Sequence, residues 1–545
     1  MSARSLLPQG VDGAMRRIRD VAMELVPSQS IRVVEGGIQE LLFKELQSLL
    51  SKTGQGGGLM SPSVYDSAQV LRILSPAESA SSPVVDWLLA QQRADGGWGE
   101  PVKPMHRDIP TMSAILALRR FPQHPRTHEA CEAGVRFLRA QAPHWATLHP
   151  EELPVAAEIL LPALLNQLGL DESVLPRAPY AELMVLGERK RKIIAKLPVM
   201  PGVPWLHVWE TWGQEPTANL IDGAGSVGHS PSATAAWVKA AAGRPELTPF
   251  VDRAREYLRE SGMATASSTP GLVPVGGPHN YFEQSFVLYA LLVSGVLLEP
   301  RLAPQVNSVL GDLTRALGPN GIGMSDYFLQ DGDDTSAVVA VMHAMGLPVD
   351  PAVLYRFKRE DHFIAYPGEM QSSPTLTARC LHALMLLGQD SDELAPFQRY
   401  LLERQEPSGR WSFDKWSRSW LYTTFHSVVG LVGSPHVDAV RRALEAVLSA
   451  QLPDGGWSSD GRSNMTETSY AVLMLGFLER HGLHHHGISP ALDRASRWML
   501  QNYTPGAPAE GKVKCWISKE LYRMERIDTA FELCALLMMQ RRLSQ

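Results

Sequence analysis

The sequence is poor in the features that most readily class a chain. Its four cysteines, Cys131, Cys380, Cys515 and Cys534, lie far apart with no CxxC or Cys/His spacing, which excludes a disulfide framework and a zinc site of the usual pattern. A reducing cytoplasm is the simplest setting. Lys and Arg never form a sustained run and the formal charge is -6, so nucleic acid is not expected as the main partner. The N-terminus, MSARSLLPQGVDGAMRRIRD, is basic but has no apolar core, so no signal peptide is expected. No apolar run reaches spanning length. The most apolar stretch, Phe286 to Leu298, is broken by Ser294 and Gly295 and reads as a buried helix. No transmembrane segment is expected, and peripheral membrane contact stays open. Alternating strand patterns are missing too.

Helical periodicity is what the chain has instead. Val84–Gln92, Thr111–Arg120, Ala130–Ala140, Glu158–Leu168, Ser285–Leu298, Thr375–Leu387, Val437–Ala450, Ser469–Arg480 and Ala530–Arg541 carry apolar residues at helical spacing. Gly, Pro and Asp clusters separate them, which suggests helix pairs stacked in a solenoid or barrel. With 545 residues, 44% of them hydrophobic, two large domains are expected. A repeat supports this: QQRADGGWGE from Gln91, RQEPSGRWSF from Arg404 and AQLPDGGWSS from Ala450 share a helix end, Gln, polar turn, Gly and Trp. The Gln amide suits free backbone at the next helix end, and the Trp packs over the turn, so these motifs are structural.

Leu329 to His343, LQDGDDTSAVVAVMH, crowds Asp331, Asp333 and Asp334 onto the start of an apolar helix. Carboxylates held this close cannot all ionise comfortably, so at least one proton should be retained near neutral pH. Such a proton suits a reaction that begins by protonating an alkene. The ordinary reading of the same residues is a helix cap, because Asp in the first turn satisfies free N–H groups.

The Asp331-Gly332-Asp333-Asp334 run, together with the Gln/Trp repeats, resembles the DxDD motif and QW repeats of class II terpene cyclases. SPSVYDSA (Ser61–Ala68), HSPSATAA (His229–Ala236) and CWISKELYRM (Cys515–Met524) are similar to the SxYDTA, SPSxTA and WIGKxLYxM segments of bacterial class II diterpene cyclases such as the copalyl diphosphate synthases. The resemblance implies an all-α protein of two (α/α) barrels, with the active site between them. A β domain (1–60 and 299–545) would be interrupted by an inserted γ domain (61–298). No DDxxD or related class I metal motif is found, so no α domain is implied and the product should keep its diphosphate.

The resemblance also implies roles. Asp333 would be the general acid, with Asp331 and Asp334 orienting it. Glu151 and Glu152, in HPEELPVAAEILLP, resemble a stretch associated with Mg2+, while a surface helix cap is the alternative; Glu158 is a weaker candidate and equally suits a paired structural carboxylate. Lys519 would contact the diphosphate, with a solvated lysine as the ordinary alternative. His207 in PWLHVWETWG aligns with a histidine that positions the proton-accepting water, yet a buried core histidine fits as well. Its partner Asn is replaced by Val275, which argues against an ent-copalyl product. Trp420, Tyr422 and Phe425 are candidates for a cavity wall that stabilises carbocations, or for plain core. The expected reaction is cyclisation of geranylgeranyl diphosphate to a bicyclic labdane-type diphosphate. Farnesyl diphosphate giving a drimane-type product is the alternative, and a non-catalytic helical-barrel prenyl-binding protein is the alternative of another class.

Overall fold

A computed structural model describes residues 28–75, 82–102, 104–147, 149–212, 215–369, 371–507 and 511–544. The basic N-terminal stretch 1–20 lies outside them. The described chain is helical throughout, apart from one short antiparallel hairpin, Trp516–Ile517 with Leu521–Tyr522, which helical periodicity does not signal.

The larger unit is a closed double ring. Asn280–Ser294, Gly332–Ala344, Pro374–Leu386, Trp420–Leu431, Met465–Arg480 and Glu525–Ser544 pack each on the next, and the last returns to the first. Ala303–Ala316, Ala352–Tyr355, Ser391–Glu403, Val437–Ser449, Ile488–Asn502 and Ser28–Lys52 cover them from outside. The sequence dictates which ring a helix joins. Trp420–Leu431 is buried on every face and has neighbours all round, whereas Val437–Ser449 buries one apolar stripe and keeps Asp438, Arg441 and Arg442 on the other. A smaller barrel repeats the plan. Val64–Leu74, Asp108–Leu118, Ala157–Leu168, the 3-10 stretch Pro204–Thr211 and Pro231–Ala240 form its inner ring.

The repeats act as expected. Gln92, Gln405 and Gln451 each donate from Nε2 to the glycine carbonyl of their own turn and to a carbonyl on the next outer helix: Ala130 at 2.8 Å, Ala439 at 2.8 Å and Ala491 at 2.9 Å. Trp98, Trp411 and Trp457 each donate from Nε1 to the carbonyl ten residues earlier.

One border moves. The helix Asn280–Ser294, placed by its sequence position at the end of the inserted domain, belongs to the inner ring of the large barrel and shares its core. Glu283 explains why: buried at its start, it accepts from the N–H groups of Gly54 (2.7 Å) and Leu59 (2.9 Å) and from Arg526 (2.8 Å), binding three distant segments of the large barrel together. The composition change at 299 marks only a loop on the outside of that barrel.

Candidate active site

Helix Gly332–Ala344 starts at Asp331, whose Oδ1 accepts from the N–H of Asp334 at 2.7 Å. The cap reading is therefore correct, and it does not displace the other. Asp331, Asp333 and Asp334 are 2%, 8% and 1% exposed, and all three line one cavity. Gly332 allows this packing, since a Cβ there would lie 2.6 Å from the carbonyl oxygen of Ile364. Ser285 donates to Oδ1 of Asp334 at 2.8 Å.

Burial, then the charges of its two neighbours, raises Asp331 well above the usual carboxylate range. Burial pushes Asp334 up to about 7 despite the Ser285 hydrogen bond. Burial raises Asp333 as well, opposed by the charges of Arg379 and Lys415. The cluster holds protons that isolated aspartates would release.

Arg379 is the largest omission of the sequence reading. It is 1% exposed, donates from Nη2 to Oδ1 of Asp333, reaches the Tyr422 hydroxyl from Nη1 at 3.3 Å and lies over the Phe286 ring. Its signal was present: an arginine in the middle of the apolar run PTLTARCLHALML must have a buried anionic partner. A guanidinium on one oxygen of Asp333 leaves the other to carry a proton and stabilises the carboxylate left behind when that proton goes. The rest of the wall is apolar and aromatic, including Phe282, Phe286, Tyr366, Trp416, Trp516 and Tyr522.

Of the aromatic candidates, Tyr422 lines the cavity. Trp420 instead lies under Arg410, and Phe425 packs against His426 and Phe531 in the barrel core. They share one helix with Tyr422 but not its face.

Lys519 does not face the cavity. It stands at the tip of the hairpin whose strands supply Trp516, Ile517 and Tyr522 to the wall, and it is fully buried in the small barrel. Its Nζ donates to Asp66 Oδ1 at 3.0 Å and to the hydroxyls of Ser230 and Ser232, both at 2.7 Å. The three motif segments around Asp66, Ser230 and Lys519 thus meet in one knot between the barrels, which satisfies the ammonium internally. Arg523, in the same segment, pairs with Glu525 and Glu532. His207 lies next to the knot, its Nδ1 bonded to the Gly228 carbonyl at 2.9 Å, and it is not among the residues lining the cavity.

Glu151 and Glu152 fall in the 3-10 turn Pro150–Glu152; the side chain of Glu151 lies outside the described residues. The turn rests where the barrels meet: Gln371 donates to the Pro150 carbonyl, and the Val155 N–H donates to Ser518 at 2.9 Å. The Glu158 carboxylate pairs with Lys190. Among the described residues no three His, Cys, Asp or Glu side chains converge on a metal position. The turn itself lies beside the cavity-lining hairpin through the Val155–Ser518 bond.

Comparison with known proteins points to one family. The squalene-hopene cyclase C-terminal domain family matches residues 364–476. The chain is 43% identical to the (+)-kolavenyl diphosphate synthase of Herpetosiphon aurantiacus, over 92% of this chain and 98% of the relative. It is 30% identical to the terpentedienyl-diphosphate synthase of Kitasatospora griseola, over 87% of this chain and 96% of the relative. The solved ent-copalyl diphosphate synthase from Streptomyces platensis aligns with a TM-score of 0.73 at 27% identity, covering 91% of this chain and 99% of that one. A double α-barrel, a buried aspartate cluster facing an aromatic cavity and these relatives make one case: the chain belongs to the bacterial class II diterpene cyclases and is an enzyme of that class.

Proposed function

We propose that the protein cyclises geranylgeranyl diphosphate to a bicyclic diphosphate, with Asp333 protonating the terminal alkene. One observation carries the reading: three buried carboxyls stand side by side in a cavity whose remaining wall is largely aromatic. An alkene is a very weak base, so the acid must be strong at the moment of transfer although burial raises its resting pKa. Arg379 supplies that strength, because it favours the Asp333 carboxylate formed by the transfer. Asp331 and Asp334 hold the helix start in register and retain a proton, so that Asp333 does not share its cavity with two further full charges. The aromatic faces of Phe286, Trp416, Tyr422 and Trp516 exclude water and favour the carbocation.

The diphosphate is retained, a reading supported by relatives named as diphosphate synthases. Mg2+ held by Glu151 and Glu152 would supply positive charge to that head group, a role the buried Lys519 is not free to play. A reducing cytoplasm suits the four cysteines, all free and buried. Among the described residues no helix is long and apolar enough to cross a membrane.

The test is direct. Purified protein is incubated with Mg2+ and geranylgeranyl or farnesyl diphosphate, the products are dephosphorylated, and the alcohols are identified. A bicyclic C20 alcohol is expected; recovery of only the linear alcohols would overturn the reading.

A further inference from the structure

Protonation begins a cyclisation but does not end it, because the carbocation must lose a proton to some base before the product can leave. Three histidines gather beside the cavity. His229 and His279 stand with ring centroids 6.4 Å apart, and His207 approaches the same backbone segment from the far side. Gly276 lies between the last two: a Cβ there would be 3.2 Å from Cε1 of His207 and 3.4 Å from Cε1 of His279. Of the three, His279 alone is among the residues lining the cavity. It is 7% exposed, and its Nδ1 is buried with no hydrogen-bond partner among the described residues.

We infer that His279 is the proton acceptor that terminates cyclisation in this enzyme, through its neutral imidazole. This rests on the cyclase reading above. The step requires a base, and among the side chains of the cavity wall this imidazole is the one neutral group with a basic nitrogen lone pair; the others are carboxyls, phenols, a guanidinium, indoles, a thioether and hydrocarbons. The placement is held from both ends of the residue, since the His279 N–H donates to the Gly57 carbonyl at 2.7 Å and its carbonyl accepts from the Glu283 N–H at 2.9 Å. Phe282 meets the ring edge-on at 6.1 Å.

Acid and base are also tied to one helix. Ser285, on the helix that begins at His279, holds Asp334 of the acid cluster. Six residues of helix separate Ser285 from His279, about 9 Å at 1.5 Å per residue. The base and the acid cluster therefore meet one helix at different levels. In the step itself a C–H bond next to the cationic carbon breaks, its electron pair becomes the new alkene, and the proton passes to the imidazole of His279. Burial lowers the imidazole to about 4, so it is neutral when it accepts and releases the proton readily afterwards. Asp333 regains a proton from solvent. One proton enters and one leaves, and the diphosphate is untouched.

The experiment compares the full-length wild type, H279N, H279A and H207A on geranylgeranyl diphosphate, with products identified after dephosphorylation and folding checked by thermal melting. Both His279 variants are expected to consume substrate, because the acid is intact. Their yield of the wild-type alkene should fall at least tenfold, with hydroxylated bicycles from water capture or isomeric alkenes in its place. The wild-type product at the wild-type rate from both variants would overturn the assignment. So would a changed product in H207A with none in H279N, or loss of all turnover in a folded H279N, which would move the residue to initiation. If H279A fails to fold, the closer-sized H279N is decisive. Failure of the wild-type protein to cyclise either diphosphate would instead refute the reading on which the assignment rests.

Discussion

Arg379 donates a hydrogen bond to Asp333 in a cavity where both are buried, joining two inner helices of the large barrel. An acid paired in this way is not simply a carboxyl with a raised pKa. Its protonated form is kept by burial and its ionised form is received by the guanidinium, so the cost of giving up the proton falls where the reaction needs it to fall.

Replacing Asp333 by Asn keeps the shape and removes the proton. Turnover of geranylgeranyl diphosphate should fall by about 10² to 10⁴-fold, the range general acid catalysis supplies, with a lowered melting temperature because the buried Arg379 guanidinium loses its anionic partner. Full activity in this variant would dispose of the acid assignment.

Arg379→Leu leaves a buried carboxylate without its partner. Loss of one member of a buried pair costs about 3 to 5 kcal/mol. Asp333 then binds a proton more tightly, so the loss should be smallest in acidic buffer and grow with pH, as denaturant titrations at several pH values would show. Cyclisation should fall as well, because the remaining acid is weaker.

Lys519→Met tests the knot between the barrels. If the ammonium serves Asp66, Ser230 and Ser232, the variant should lose about 3 to 5 kcal/mol of stability. KM for the diphosphate substrate should stay close to wild type in the protein that remains folded. A raised KM with an unchanged melt would restore Lys519 as a head-group ligand.

The pH profile follows from the raised carboxyls. Asp334 moves from 3.8 in the unfolded chain to about 7 in the fold, so between those values the native state holds a proton that the unfolded chain has released. Stability contributed by the cluster is greatest in acid and declines as pH rises through about 7. Activity should hold in mildly acidic buffer and decline through the same region, since the cluster must be protonated to act. Steady-state rates that stay flat well above pH 7 would contradict this.

Gln451→Leu removes three hydrogen bonds from one repeat, two donated to the Gly455 and Ala491 carbonyls and one accepted from Arg494. Both acceptors can recover water at this half-buried turn, so a loss of about 1 kcal/mol is expected, seen as a small drop in melting temperature with activity retained.

Much of this protein is written locally. Apolar spacing alone marks helices such as Thr375–Leu387 and Ser469–Arg480, observed as Pro374–Leu386 and Met465–Arg480, because helix phase depends on neighbours within a few residues. The Gln and Trp of each repeat act on their own turn and the next helix, so they too are legible one after another. The aspartate cluster is local in the same sense, and its crowding is plain from four consecutive residues. What tertiary structure alone decided is where a long polar side chain finds its partner. Lys519 looked free for a diphosphate because Asp66, 453 residues earlier, gives no sign of being its neighbour. The apolar run around Arg379 says that it needs a buried anion but not that the anion is Asp333, and nothing near His279 in the chain says that its ring will line the cavity. Helices are set by periodicity, but the charge state and access of a buried group are set by whatever the fold brings within a few ångströms of it.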